Sequence, residues 1–169
     1  MQYTGRYNSP LGGIFLAADE TGLTGLWFEG QKYFASTLAD EHEEKETQIL
    51  TQTKKWLDIY FSGRAPDFTP PLSLIGTDFQ KAVWRKLLAI PYGQTTTYGT
   101  IAAAISKSRP AFARAVGGAV GHNPISIIVP CHRVLGAGGK LTGYAGGVDK
   151  KLWLLRSEGV RLSHSENQK

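Results

Sequence analysis

The stretch from Arg64 to Thr77, with Pro66, Pro70 and Pro71 among polar residues, divides this chain of 169 residues into halves with different apolar periodicities. Proline fixes φ and has no amide proton, so the stretch reads as a linker. Before it, Gly13 to Ala18 and Leu23 to Phe28 are short apolar runs joined by Asp19-Glu20-Thr21-Gly22. That pattern predicts a β-hairpin within a sheet. Met1 to Arg6 reads as polar and turn residues, and Asp40 to Glu46 as a solvated acidic stretch. Ile49, Leu50, Trp56, Leu57, Tyr60 and Phe61 then recur at helical spacing as far as Ser62-Gly63, predicting a helix packed on the sheet.

The second half is helical in its signals. Thr77-Asp78-Phe79-Gln80 is a capping-box pattern, and Phe79, Val83, Leu87 and Ile90 share a face until Pro91-Tyr92-Gly93. Thr97 to Ile105 reads as a helix, Ser106 to Pro110 as a turn, and Arg114 to Val120 as a small-residue helix stopping at Gly121. Two short helices across a tight turn make a helix-turn-helix candidate. Asn123-Pro124 turns into Ile125 to Val129, a β-branched run expected as a buried strand or extended segment ending at Pro130. The boundary is drawn between a domain over 1–76 and one over 77–169, and the chain is long enough for one domain or two small ones.

Pro130-Cys131-His132-Arg133-Val134 holds the only cysteine. A lone thiol forms no intrachain disulfide, and it reacts as the thiolate, so a neighbour that lowers its pKa makes it a nucleophile. His132 and Arg133 are such neighbours. The alternative is a small buried hydrophobe beside two surface cations.

Charge separates the halves. Residues 1–76 carry net −4 and residues 77–169 net +9, together the +5 of the whole chain. A basic half that holds the helix-turn-helix and the cysteine points to a polyanion partner, with ordinary solvation as the alternative. No run of eighteen apolar residues predicts a membrane span, and no leader pattern opens the sequence. With one cysteine, a reducing cytoplasm is the expected location. The four histidines are scattered, with no metal-ligand spacing, and His42 and His164 are expected at the surface. The polar tail from Ser163 to Lys169 is expected to be disordered.

From Thr77 to Gly159 the sequence resembles the O6-alkylguanine-DNA alkyltransferases, also called methylated-DNA-protein-cysteine methyltransferases. The resemblance rests on Tyr98, the segment Arg114 to Ala119, Asn123-Pro124, Pro130 to Val134, Gly143 to Gly147, Trp153 to Leu155 and Glu158-Gly159, in that order. It implies an α+β fold: an N-terminal antiparallel sheet with a helix, ribonuclease-H-like, and a mostly helical C-terminal winged helix-turn-helix domain. Direct-reversal repair is the implied function, in which the damaged nucleotide is flipped out and an alkyl group passes irreversibly, once per molecule, from O6-alkylguanine or O4-alkylthymine in DNA to the protein's own Cys131. No cofactor is implied, and the zinc held in some relatives' N-terminal domain lacks ligands here.

The resemblance also implies residue roles. Cys131 attacks, His132 takes its proton through a water, Glu158 orients the imidazole, Tyr98 gives a proton to the departing base, and Asn123 ties the recognition helix to the active-site segment. Arg114 fills the base stack, while Ala115, Gly117 and Gly118, with Thr97, lie along the minor groove of double-stranded DNA. The Val134 carbonyl with Tyr144, Ala145 and Gly146 lines the base pocket; Ala145 stands where some relatives have a hydroxyl residue. A monomer is expected, with clustering on DNA left open. Alternatives are a non-catalytic lesion binder, a winged-helix regulator reading base edges, and a cysteine hydrolase; Pro-Cys-His-Arg argues against the first, and the absence of a dimerising heptad against the second.

Overall fold

The computed structural model describes residues 1–105 and 112–162, excluding the Phe112 side chain. The expected turn from Ser106 to Pro110, His164 and the tail from Ser163 to Lys169 lie outside the described residues. The chain forms two compact units, Met1–Ile75 with Pro124–Ile128, and Gly76–Asn123 with Val129–Lys169.

The first unit is built on a four-stranded sheet in the order β3-β2-β1-β4. Strands β1 (Gln2–Ser9), β2 (Gly12–Ala18) and β3 (Leu23–Phe28) run antiparallel, and short β4 (His42–Glu44) pairs with β1 in parallel. Two segments read only as polar carry strands. Met1 to Arg6 enters a full strand, in which the polar Gln2 and Thr4 are buried. Part of the acidic stretch is the edge strand β4, whose three residues are all exposed; charge on an edge discourages pairing with other chains. The hairpin between β2 and β3 turns on Asp19, whose Oδ1 accepts the amide hydrogens of Thr21 at 2.8 Å and Gly22 at 2.9 Å.

Helix α1 (Gln48–Phe61) is capped by the Thr47 hydroxyl and buries Leu50, Trp56, Leu57 and Tyr60. With Ile14, Leu16, Leu26 and Phe28 of the strands these side chains make the core of the unit. Each such fully buried side chain is worth about 1.5–3 kcal/mol of transfer free energy. The expected linker is partly sheet-bound: Leu23 donates to Pro71 O at 2.7 Å and accepts from Ser73 N at 2.8 Å. A Cβ on Gly22 would lie 2.7 Å from the Leu72 carbonyl carbon, so only glycine admits that strand-like approach. On the far side of the chain, Ile125 to Val129 is buried, as expected, but is not a strand. Ile125 makes one bridge to Leu26, then a turn follows in which Ile127 has φ +71°, a rare value for a β-branched residue.

In the second unit, helix α2 (Asp78–Leu88) has the capping box expected of Thr77 and Gln80, with both hydrogen bonds made. Helices α3 (Tyr98–Ile105) and α4 (Phe112–Gly121) are the expected helix pair. Thr97 lies outside α3: it belongs to the two-residue strand β5 (Thr96–Thr97), and its hydroxyl accepts from Thr100 N at 3.1 Å, as a cap does. Helix α4 buries Val116, Ala119 and Val120, and Trp84 of α2 donates its indole N–H to Ala119 O at 2.9 Å. Strand β5 pairs in parallel with β6 (Val134–Leu135), and α5 (Val148–Ser157) closes the unit. Among the described residues no helix is long and apolar enough to cross a membrane.

Candidate active site

Cys131 opens a single 3-10 turn, Cys131–Arg133, placed immediately before β6. Its amide donates to Val129 O at 2.8 Å, and the Asn123 side-chain amide donates to the same carbonyl at 2.7 Å. The residues just after α4 and the nucleophile's own backbone are thereby tied to one acceptor. Cys131 is 6% exposed. Burial pushes its pKa up, and the Asn123 side chain and the Lys151 charge pull it back.

That cation adds to the sequence reading. His132 and Arg133 are both buried, and hydrogen bonds join them to Glu158 and, for Arg133, to Ile90. Glu158 caps α5 and is buried rather than exposed. Its Oε2 lies 2.7 Å from His132 Nε2 and accepts from Arg133 Nη2 at 3.1 Å, while Oε1 accepts from Arg133 Nε at 2.8 Å and from Gly93 N at 2.9 Å. Arg133 is itself fixed by donation to Ile90 O at 2.7 Å and lies against the Tyr92 ring, 5.7 Å from its centroid. Gly93 has φ +81°, and a Cβ there would come within 3.2 Å of Glu158 O, so the glycine is what lets this amide reach the carboxylate.

Burial pushes the Glu158 carboxyl up, but hydrogen bonds from His132 and Arg133, together with the Arg133 charge, outweigh it and hold the group at about 2. A carboxylate held so strongly only accepts hydrogen bonds, so His132 Nε2 carries the hydrogen and Nδ1 carries the basic lone pair. Burial also lowers the His132 pKa, keeping the imidazole neutral at rest. A neutral base next in sequence to the thiol, with an anion fixing its tautomer, has a lone pair able to accept a proton.

Lys151 was not singled out from the sequence. It is fully buried, and Nζ donates to Val134 O at 2.7 Å, Thr142 Oγ1 at 3.0 Å and Gly143 O at 3.3 Å. Burial lowers its pKa to about 8 and the charge of Cys131 opposes that shift. A signal was present: Lys151, Leu154, Leu155 and Glu158 fall at i, i+3, i+4 and i+7, a buried stripe with a charged residue at each end.

Val134 is buried, and Tyr98 reaches Thr142 Oγ1 with its hydroxyl at 3.2 Å, so Tyr98, Thr142, Lys151 and Val134 form one connected group. Tyr144, Ala145 and Gly146 precede α5 in a turn closed by Gly147 N to Tyr144 O at 2.9 Å, and the three are half-buried. Arg114, Ala115 and Gly118 are exposed on α4, and Gly117 is half-buried, with its Cβ position 4.0 Å from the Tyr98 ring. Arg114 thus lies on the open face of the helix.

Both units match described families: the ribonuclease-like domain of 6-O-methylguanine DNA methyltransferase over residues 2–74, and its DNA binding domain over residues 78–160. The methylated-DNA-protein-cysteine methyltransferase of Methanosarcina acetivorans is 48% identical over 158 residues, covering 93% of this chain and 98% of the relative. That of Mycobacterium bovis is 47% identical over 154 residues, covering 91% of this chain and 90% of the relative. The crystal structure of Mycobacterium tuberculosis OGT in complex with DNA is similar with a TM-score of 0.81 and 45% identity over 92% of each chain. Matched in both units, and nearly half identical to relatives along almost their whole length, the chain belongs to the 6-O-methylguanine DNA methyltransferase family.

Proposed function

We propose that this protein repairs DNA by moving the methyl group of O6-methylguanine onto Cys131. The observation that carries the reading is the buried Cys131 beside a neutral His132 whose Nε2 is bound by a fully held Glu158 carboxylate. The relatives' names, which specify methylated DNA and a protein cysteine, support the same chemistry, and the DNA complex of the mycobacterial relative supports DNA as partner.

In this reading His132 Nδ1 takes the thiol proton through a water, and the thiolate attacks the methyl carbon in line with the C–O6 bond. An S–C bond forms and the C–O6 bond breaks, its electron pair passing into the guanine. Tyr98 gives that base a proton. The product thioether has no route back to a thiol, so each molecule acts once. Arg114 occupies the stack vacated by the flipped nucleotide, and the small residues Ala115, Gly117 and Gly118 let α4 lie close in the minor groove, with Thr97 at the neighbouring helix start. The Val134 carbonyl and the Tyr144, Ala145 and Gly146 turn line the base pocket. The protein works as a monomer, and its single thiol suits a reducing compartment such as the cytoplasm.

The test is intact mass before and after incubation with a short duplex holding one O6-methylguanine. One methyl group should be gained per molecule, on Cys131, and Cys131→Ser should gain none while still binding the duplex. Repeated turnover, or methylation elsewhere, sinks the reading.

A further inference from the structure

Proton supply to the departing base has a second part in this fold. Tyr98 can give up one proton, and a phenolate left behind in a half-buried pocket is unfavourable unless it is refilled at once. Its hydroxyl lies 3.2 Å from Thr142 Oγ1, and Thr142 Oγ1 accepts from the Lys151 ammonium at 3.0 Å. An ammonium only donates, so the Thr142 hydroxyl hydrogen is left to point at Tyr98, and the Tyr98 hydrogen is left to point at a bound base. The other two Lys151 hydrogens are held by Val134 O and Gly143 O, which fixes the ammonium in place. Gly136 presses on the opposite side of Thr142: a Cβ there would lie 2.7 Å from Thr142 Cγ2. Only glycine admits that methyl, and the methyl's seat determines where the hydroxyl points.

We propose that Lys151, Thr142 and Tyr98 form a proton relay, in which Thr142 passes a Lys151 proton to Tyr98 as Tyr98 protonates the leaving guanine. The proposal rests on the repair reading above. The balance is complete without any further reagent: thiolate, ammonium and O6-methylguanine become thioether, neutral amine and neutral guanine. Each hydroxyl in the chain gains one proton as it loses one. The driving force is built in, because methylation abolishes the Cys131 charge that favours the Lys151 cation, while the burial that disfavours it remains. Lys151 thus becomes a stronger acid at the moment a proton is required. Thr142 and Lys151 touch no reacting atom and are positioning residues.

The experiment compares single-turnover rates for two electrophiles with Thr142→Val, which keeps the methyl against Gly136 and loses the hydroxyl, and Thr142→Ser, which keeps the hydroxyl. With the O6-methylguanine duplex, Thr142→Val should be slower by about tenfold or more, and Thr142→Ser within about threefold of the parent. With iodoacetamide at Cys131, both should match the parent, because iodide leaves without a proton. That arm also reports that the variant has folded. In a Tyr98→Phe background, Thr142→Val should have no further effect. Equal slowing with both electrophiles, an unchanged duplex rate, or additive losses with Tyr98→Phe overturns the relay. Failure of the repair reading is separate and visible in the parent protein, which would then react with iodoacetamide and gain no methyl from the duplex.

Discussion

Replacing Glu158 by glutamine tests the electrostatic centre of the site. The carboxyl sits at about 2 in the folded protein against an ordinary value of 4.5. At about 1.4 kcal/mol per pKa unit, its charged form is favoured by about 3 kcal/mol. The complementary view is a buried Arg133 deprived of its counter-ion, for which removing one partner costs about 3–5 kcal/mol. Both figures describe the same interaction and are not added. Glu158→Gln is therefore expected to lose about 3 kcal/mol in urea denaturation near neutral pH, a large part of a typical domain's stability. The sign with pH follows from a depressed folded pKa. The contribution of Glu158 is full above about 4.5 and is lost as pH falls through about 2, so by about pH 3 the parent's advantage should shrink to roughly half. Transfer to Cys131 should slow in the same variant, because a neutral amide no longer holds His132 Nε2–H as an anion does. A loss under about 1 kcal/mol at neutral pH, or an advantage that does not narrow on acidification, would refute the assignment of Glu158 as the charged partner of both Arg133 and His132.

Two further outcomes are expected. Lys151→Met should slow alkylation of Cys131 by iodoacetamide about tenfold near neutral pH, since one neighbouring charge shifts a buried group by a pKa unit or more, and the gap should close as pH rises through about 8, where Lys151 loses its proton; a gap that persists at high pH contradicts it. Arg114→Ala should slow methyl transfer from a duplex by about 10- to 100-fold, the cost of flipping without a wedge, while transfer from a single-stranded oligonucleotide stays near the parent rate; equal losses on both would make Arg114 a phosphate contact instead.

How much of this was legible varies by the kind of signal. Capping of α2 by Thr77 and Gln80 was readable because both hydrogen bonds are local. The Asp19 hairpin was readable for the same reason. Strand β1 was missed because Gln2 and Thr4 are polar; Gln2 is buried by bonding to the Thr37 carbonyl and the Ala39 amide, far away in sequence. Ile125 to Val129 misled in the other direction: β-branched residues favour strands, but here they fill a buried turn, and only Ile125 finds a sheet partner. Within the site, the family motif marked Cys131, His132 and Glu158. It did not reveal that Arg133 serves Glu158 or that Lys151 is the cation near the thiol, since both depend on which backbone carbonyls come within reach.

The chain's crossing at Pro124–Ile128 bears on how the gene can be divided. These five residues belong with the sheet unit, whereas Asn123 and Val129 on either side belong with the helical one, clasped by the hydrogen bond between them. A fragment starting at Gly76 would carry Ile125 without Leu26, and Ser126 without the backbone of β3 that it bonds. The missing partners would be felt a few residues from the nucleophile, at the base of that clasp. A cut at Gly76 therefore does not follow the division of the fold, because it leaves Pro124–Ile128 apart from the sheet they belong with.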